Sequence, residues 1–464
     1  FGWHDTNGVA GAEFTITRGN NVHAYADVDG NNIPDPGNPE PNGGAGLDFT
    51  GGVVPLDLSL APSTYRQAAM ANLFYWNNIT HDVMWQYGFD EPSGNFQANN
   101  YGNGGLGNDH VLAEAQNAGN CNANFGTPSD GSSPRMQMFV CTTANPDRDS
   151  DLDAEVIVHE YGHGISNRLT GGPAQAGCLG NTEQMGEGWS DFFALLLTMK
   201  ASAVGTEARG MGTYFVGRAP NGPGIRNAPY STDFGVNGFT YNNVGSVAVP
   251  HGVGFIWATM LWDMTWNLIE KHGFEENIYA TTGGNGIAMQ LVMEGMKLQP
   301  CNPGFVNGRD AILKADTMLF SGANGCEIWS AFARRGLGVE ASQGSSSFVN
   351  DGVESYQVPP SCPTSCTDEV LTYSNTNIPG GTNRKIYTTI AIDNSVIQAG
   401  NSVSLSAGQG ISVSTNFEVE GTAEVLLDNS PCDPTLIPSA KMPNQEKQAR
   451  MRQDKIKGSA VRSE

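Results

Sequence analysis

Along this chain the spacing of apolar residues changes with position, and the change predicts where strands give way to helices. Residues 1–60 alternate short apolar stretches with Gly, Asn, Asp and Pro, a pattern of strands and long loops. From Thr64 to Tyr87 the spacing becomes helical, with Leu73, Trp76, Asn77, His81 and Met84 recurring three or four apart, or one step off. Loop and strand return from Asn95 to Cys141. Beyond residue 150 the helical pattern dominates. Val156-Ile157-Val158 opens one apolar face and Phe192-Phe193-Ala194-Leu195 another. Gly252 to Ile269, carrying Trp257, Leu261, Trp262 and Trp266, makes a longer one. Leu291 to Leu319 reads as two further helices and Trp329 to Leu337 as a last, while residues 205–250, rich in Gly, Asn and Pro, read as loop. No apolar run approaches the ~18 residues that a membrane-spanning helix needs.

The pattern changes again after the helices. Gln343-Gly344-Ser345-Ser346-Ser347 reads as a linker that leads to a Pro/Cys joint at Pro359 to Cys366. Ile386 to Ile392, Ser402 to Leu405, Ile411 to Val413 and Ala423 to Leu427 then read as short strands without a helix. The division expected is a β-rich part over 1–150, a helical part over 151–350, a linker over 351–366 and a small all-β sandwich over 367–433. No chemical constellation appears in that last module. Lys441 to Glu464 is polar and basic with no apolar face wide enough for a core, so residues 434–464 are expected to be disordered.

Candidate chemistry sits where the first helical face begins. Asp153 to Gly164 holds His159-Glu160-Tyr161-Gly162-His163. On an α-helix, residues four apart are slightly more than one turn apart, so both imidazoles project from one face. That spacing suits two nitrogen ligands on one Zn²⁺, with Glu160 beside the water to be activated. Glu187, within Gly186-Glu187-Gly188-Trp189-Ser190-Asp191, would add a carboxylate from a second helix lying against the first. Asp191, four residues on, could accept the other ring N–H of a ligand histidine and fix its tautomer. Two His, one Glu and an open fourth position describe a catalytic zinc site rather than a structural one. A surface carboxylate favoured by the helix dipole is the competing account of Glu187, and the four matching positions in order favour zinc. Asp147 to Asp153 would cap that helix, a second Ca²⁺ site being the alternative. Asp27, Asp29, Asn31 and Asp35 offer oxygens at near-alternate positions that could wrap Ca²⁺ or form an Asx-rich turn without an ion. His81 and Asp82 read as buried, hydrogen-bonded structural residues.

Several longer phrases accompany these motifs: Phe1-Gly2-Trp3-His4-Asp5-Thr6-Asn7-Gly8, Gly94-Asn95-Phe96-Gln97, Gly104-Gly105-Leu106-Gly107-Asn108-Asp109, Arg168-Leu169-Thr170-Gly171-Gly172 and Pro250-His251-Gly252-Val253-Gly254. Together they resemble the fungalysin family of secreted zinc metalloendopeptidases, relatives of thermolysin whose third ligand is glutamate. The resemblance covers roughly residues 1–350. It implies an α+β, thermolysin-like fold of two subdomains, β-rich then helical, ahead of the all-β module read above from the strand pattern. It implies one zinc per chain and hydrolysis of internal peptide bonds in proteins or peptides outside the cell. It also implies synthesis as an inactive precursor inhibited by its own pro-segment. Glu160 would be the general base, and His251 would face the zinc water and the oxyanion. Asn122 and Ala123 resemble the edge strand along which such proteases align a substrate backbone. Arg226 resembles the arginine that binds a substrate carbonyl, a loop-pinning salt bridge being its other reading. The pattern departs from thermolysin-like enzymes in having no tyrosine at 164–186 as second oxyanion donor, and Tyr230 is the replacement the chain offers. A zinc-containing surface-binding protein without activity and an exopeptidase are the alternatives.

Composition agrees with that reading. A length of 464 residues suits two or more domains. A net charge of −23, from 24 Lys and Arg against 47 Asp and Glu, argues against a nucleic-acid partner and leaves room for bound cations. The start at Phe1 reads as a processed form, and a monomer free of membrane is expected. Eight cysteines with no tight Cys-x-x-Cys pair suit disulfides in an oxidising compartment. Cys301–Cys326 and Cys366–Cys432 would each close a local unit, Cys121–Cys141 would span a hairpin, and Cys178 and Cys362 stay open.

Overall fold

The computed structural model describes residues 2–50, 52 and 54–362, and beyond them the backbone of eight short strands between residues 371 and 428. It divides into Phe1–Ser355 and Tyr356–Glu464, and each unit is described by itself. The first is a mixed α/β assembly. Its earliest helical pattern becomes α1, Arg66–Gln86, whose buried residues include Met70, Leu73, Asn77, His81 and Met84. This helix lies in sequence between β1, Val22–Ala26, and β2, Val111–Asn117, which pair in parallel with Val22 opposite Val111. Parallel neighbours need such a crossover. β3, Ala123–Gly126, and β4, Arg135–Cys141, complete the path β1-β2-β4-β3, and β5, Arg148–Asp149, pairs with β4. β4 runs parallel to β2 and antiparallel to β3. β3 ends the path and pairs with β4 along one edge.

Six helices follow: α2, Ala154–Leu169; α3, Gly186–Leu197; α4, His251–His272; α5, Gly283–Leu298; α6, Phe305–Phe320; and α7, Gly325–Arg334. Asp153 is the N-cap of α2, its carboxylate accepting from Glu155 N at 3.2 Å. Trp189 of α3 meets Trp257 of α4 edge to face at 5.0 Å, and Trp257 continues to Phe305 and Phe332. Glycines set how closely the helices cross. A Cβ on Gly162 of α2 would lie 2.8 Å from Ser190 Cα of α3, and one on Gly254 of α4 would lie 2.3 Å from Glu187 Cβ. Both crossings therefore require the missing side chain, and they bring α2, α3 and α4 together at the residues that matter for chemistry.

Other expectations are revised. Cys121 does bond Cys141. Cys301, however, pairs with Cys178 rather than with Cys326, because the loop after α2 runs back beside the start of α6. Cys326 and Cys362 are each disulfide-bonded. Beyond residue 362 the strands are β6, Leu371–Ser374; β7, Asn383–Ile386; β8, Thr389–Asp393; β9, Val396–Ile397; β10, Ser402–Ala407; β11, Gly410–Val413; β12, Glu418–Val419; and β13, Glu424–Asp428. All their pairings are parallel, in the ladders β6-β8-β11, β7-β10-β13 and β9-β12. Leu371, Ile390 and Ile411 share one row, and Val403 faces Val425 as Leu405 faces Leu427. These ladders do not show the sandwich expected over 367–433. Cys366, Cys432 and residues 434–464 lie outside the described residues.

The acidic run ahead of α2 contains more than a cap. Asp149 and Asp151 are fully buried. Asp149 Oδ1 accepts from Asp151 N at 3.1 Å, and Asp151 Oδ2 accepts from Gln116 N at 2.9 Å, while Asp151 Oδ1 has no partner. Burial raises both carboxyls, and the charge of Asp149 raises Asp151 further. A folded-state pKa above the unfolded one means the folded chain holds the extra proton. Its stabilising effect is complete below the unfolded pKa of about 3.9 and is lost as pH rises through the folded pKa. Asp151→Asn, a neutral isostere, is therefore expected to raise Tm at pH 8 by about 1–3 °C and to have less effect at pH 4. Thermal melts at the two pH values test this; a lower Tm for the variant at pH 8 would contradict it.

Candidate metal centre

α2 presents His159, Glu160 and His163 toward the start of α3. His159 Nε2 and His163 Nε2 are 3.2 Å apart, with the rings at right angles. Glu187 reaches between them, Oε2 lying 3.3 Å from His159 Nε2 and Oε1 3.7 Å from His163 Nε2. One ligand atom from each of the three thus falls within 4.8 Å of the others. The helical spacing and the neighbouring carboxylate converge as the sequence pattern predicts.

Asp191, one turn after Glu187, is fully buried beneath the histidines. Its Oδ1 lies 2.7 Å from His159 Nδ1. A hydrogen bond there keeps a proton on Nδ1, so that Nε2, which turns to Glu187 and His163, is the nitrogen available to a metal. Arg226 grips the same carboxylate with Nε at 2.6 Å and NH2 at 2.7 Å, and NH2 also reaches Glu187 Oε2 at 3.1 Å. The salt-bridge reading of Arg226 is what the geometry displays. Tyr230 is fully buried and its hydroxyl donates to Asp191 Oδ2. This corrects its assignment as an oxyanion donor, because the proton is already engaged and the side chain lies in the core beneath the site.

Burial and charge act on each group. Burial alone would lower His159, but hydrogen bonds to Asp191 and Glu187 outweigh it and push the ring up to about 10. Burial dominates at His163 and takes it down to about 4. For Glu187 and Asp191, burial opposes ionisation. Bonds to His159 and the charge of Arg226 nevertheless hold both well below the usual carboxylate range. Glu160 is different. Burial pushes it up to about 7, with His159 opposing and Glu187 adding. Among the described residues no group donates a hydrogen bond to its carboxylate.

His251, the first residue of α4, is 62% exposed at its side chain and sets Nε2 3.4 Å from Glu187 Oε1. It stands at the rim, on the solvent side of the cluster. Ala123 is the first residue of β3, and Asn122 just precedes it and is exposed. That strand approaches α2 closely: a Cβ on Gly164, next to His163, would lie 2.6 Å from Phe125 Cε1. The remaining candidates sit elsewhere. Asp27, Asp29 and Asp35 gather within 4.8 Å. Their carboxylates already accept from the loop's own backbone: Asp27 from Asn31 N and Asn32 N, Asp29 from Asn31 N, and Asp35 from Val28 N. Asn31 Oδ1 is turned to Ile33 N. The loop is an Asx-rich turn held by these bonds. Asp82 accepts from Trp3 Nε1 at 2.8 Å and meets His81 Nδ1 at 2.9 Å, tying the N-terminal segment to α1.

The sequence profile of the Fungalysin metallopeptidase (M36) family matches residues 1–341, which include the whole cluster. The chain belongs to this family. Among its relatives, Extracellular metalloproteinase 2 of Trichophyton tonsurans is 42% identical over 375 residues, 78% of this chain and 56% of that protein. Extracellular metalloproteinase mep of Aspergillus fumigatus is 49% identical over 292 residues, 61% of this chain and 46% of that protein. The chain spans about half the length of these relatives. Among solved structures, the precursor of protealysin, a metalloproteinase from Serratia proteamaculans, is similar at a TM-score of 0.34 and 14% identity, over 58% of this chain and 79% of that one.

For a fungalysin built this way, Glu187→Ala should abolish metal retention, and elemental analysis after dialysis should find the variant empty. Asp191→Asn should keep the ligands but weaken metal affinity about 10–100-fold, read by competition with a chelator. Full metal occupancy in Glu187→Ala would exclude that residue as a ligand.

Proposed function

We propose that the chain is an extracellular zinc endopeptidase that hydrolyses internal peptide bonds of proteins. The observation that carries this reading is the convergence of His159 Nε2, His163 Nε2 and Glu187 beside a buried Glu160. The donor set fits zinc: two neutral-capable imidazoles and a carboxylate, with Asp191 orienting one ring from behind. Metal binding there would displace the proton that His159 otherwise holds toward Glu187. Bound zinc supplies Lewis acidity and lowers the pKa of a water toward about 7.

Glu160 takes a proton from the attacking water and delivers it to the departing amine. A carboxyl near neutrality is matched to both tasks. His251, exposed and next to Glu187, donates to the oxyanion, a contribution of about 3–4 kcal/mol for one good donor. β3 pairs its open edge with the substrate backbone, which selects for extended peptides more than for particular side chains. Asn122, exposed beside that edge, bonds the amide on the scissile side. Arg226 is held rigid by Asp191 and Glu187, and a guanidinium fixed in this way can also present a donor to a substrate carbonyl. Release from the cell is supported by the relatives' names as extracellular metalloproteinases. Among the described residues no helix is long and apolar enough to cross a membrane. On the same reading the pro-segment of an inactive precursor is the enzyme's own inhibitor.

Glu160→Gln should retain zinc and lose at least about 10²-fold in kcat. A casein digest followed by mass spectrometry, with and without chelator, should show zinc-dependent internal cuts. Near-normal turnover by the zinc-loaded variant would remove Glu160 from the role of base, and release of terminal residues alone would indicate an exopeptidase.

A further inference from the structure

Arg168 lies on the last turn of α2, beyond the metal ligands, and is fully buried. A buried guanidinium needs its donors satisfied, and these are satisfied from several places at once. Nε donates to Pro128 O at 2.8 Å and NH2 to Ser132 O at 3.3 Å. NH1 serves Gly94 O at 2.9 Å, Asp109 Oδ2 at 3.1 Å and Asp130 Oδ1 at 3.3 Å. The face of the guanidinium covers Phe96, 4.9 Å from the ring centroid.

Most of these acceptors belong to the loop that continues β3 and returns as β4. The same loop is tied to α2 and its exit by other bonds. Asn167 Nδ2 donates to Thr127 Oγ1 at 3.2 Å, Ser129 Oγ to Ala174 O at 3.1 Å, and Asp130 N to Pro173 O at 3.0 Å. Asp130 Oδ2 accepts from Leu106 N, and Asp109 Oδ2 from Gly131 N. The helix that bears the metal ligands is thereby bolted to the strand whose outer edge carries no partner strand among the described residues. Phe125, in the middle of that strand, rests against Gly164 and Phe96.

We propose that Arg168 is a positioning residue that sets the distance between the open edge of β3 and the metal cluster, and so the register in which a peptide backbone meets the attacking water. The proposal rests on the reading of β3 as the substrate edge. It follows from geometry: one planar fork joins the end of α2 to the loop after β3, and five donors in fixed directions define a distance better than a flexible ammonium can. A residue that merely stabilised the fold would affect long and short substrates alike. A residue that sets strand position affects the substrates long enough to lie along β3.

The test compares kcat and KM for an extended peptide of about ten residues and for a blocked dipeptide amide too short to pair with β3. The variants are Arg168→Lys and, as a milder change that leaves the buried guanidinium in place, Asp130→Ala, which removes one acceptor from the partly exposed loop. For zinc-loaded, folded variants we expect KM for the extended peptide to rise about tenfold, with kcat/KM for the dipeptide within about twofold of wild type. Equal losses on both substrates, or an unchanged KM for the extended peptide in Asp130→Ala, would overturn the role of Arg168. A backbone N-methylated version of the extended peptide separates this from the reading beneath it. If the wild-type enzyme cleaves the N-methylated and parent peptides with the same KM, β3 is not the substrate edge, and both proposals fall together.

Discussion

Everything at the candidate centre depends on one buried carboxylate and the three groups that share it. Asp191 lies beside a histidine ring, a guanidinium and a phenol in a place without solvent. Alone, a charge so buried would be protonated or would unfold its surroundings. With Arg226 against it in a two-point bridge it stays ionised, and because it stays ionised it can hold His159 by Nδ1. The orientation of Nε2, and hence the convergence on Glu187, follows from that bond. Removing one partner of such an assembly costs about 3–5 kcal/mol, because the other charge is left uncompensated. The polar network is therefore structural and chemical at once.

The second constraint is closeness. Three helices meet where Gly162 faces Ser190 and Gly254 faces Glu187. Larger residues there would separate α2 from α3 and α3 from α4, and His159, His163 and Glu187 would no longer converge. Trp189, Trp257 and Phe305 pack edge to face from α3 through α4 to α6 and continue the core away from these crossings. Precision at the centre is thus produced by packing, and the surrounding apolar core is what makes the polar geometry reproducible.

Much of this was legible from residue order. His159, Glu160 and His163 declare themselves because a helix repeats every 3.6 residues, and Glu187 and Asp191 repeat the same logic on the next helix. Other features were hidden for identifiable reasons. Arg226 and Tyr230 lie in a Gly- and Pro-rich stretch without periodicity, so nothing local says which way either side chain turns. Arg168 stands in an ordinary last-turn position, where a basic residue usually faces water and the helix dipole. Its burial is visible once the loop after β3 has folded over it. Cys178 gave no hint of Cys301, since chain separation says little about which loops run side by side. The parallel ladders beyond residue 362 were missed because short apolar runs specify strands but not the direction of their neighbours.

What the amino-acid order determined by itself was therefore periodic and local: the helices, the spacing of ligands along them, the cap at Asp153 and the family to which the motifs point. Tertiary structure decided the relations between segments: which of the two histidines Asp191 stands behind, that Tyr230 faces inward, that Cys301 meets Cys178, and that β3 ends the described sheet beside α2. The physical reason is range. Backbone hydrogen bonding and side-chain periodicity act within a few residues. The desolvation of Asp191, Arg226 and Arg168 is compensated by partners that lie far away in sequence and come together when the core closes.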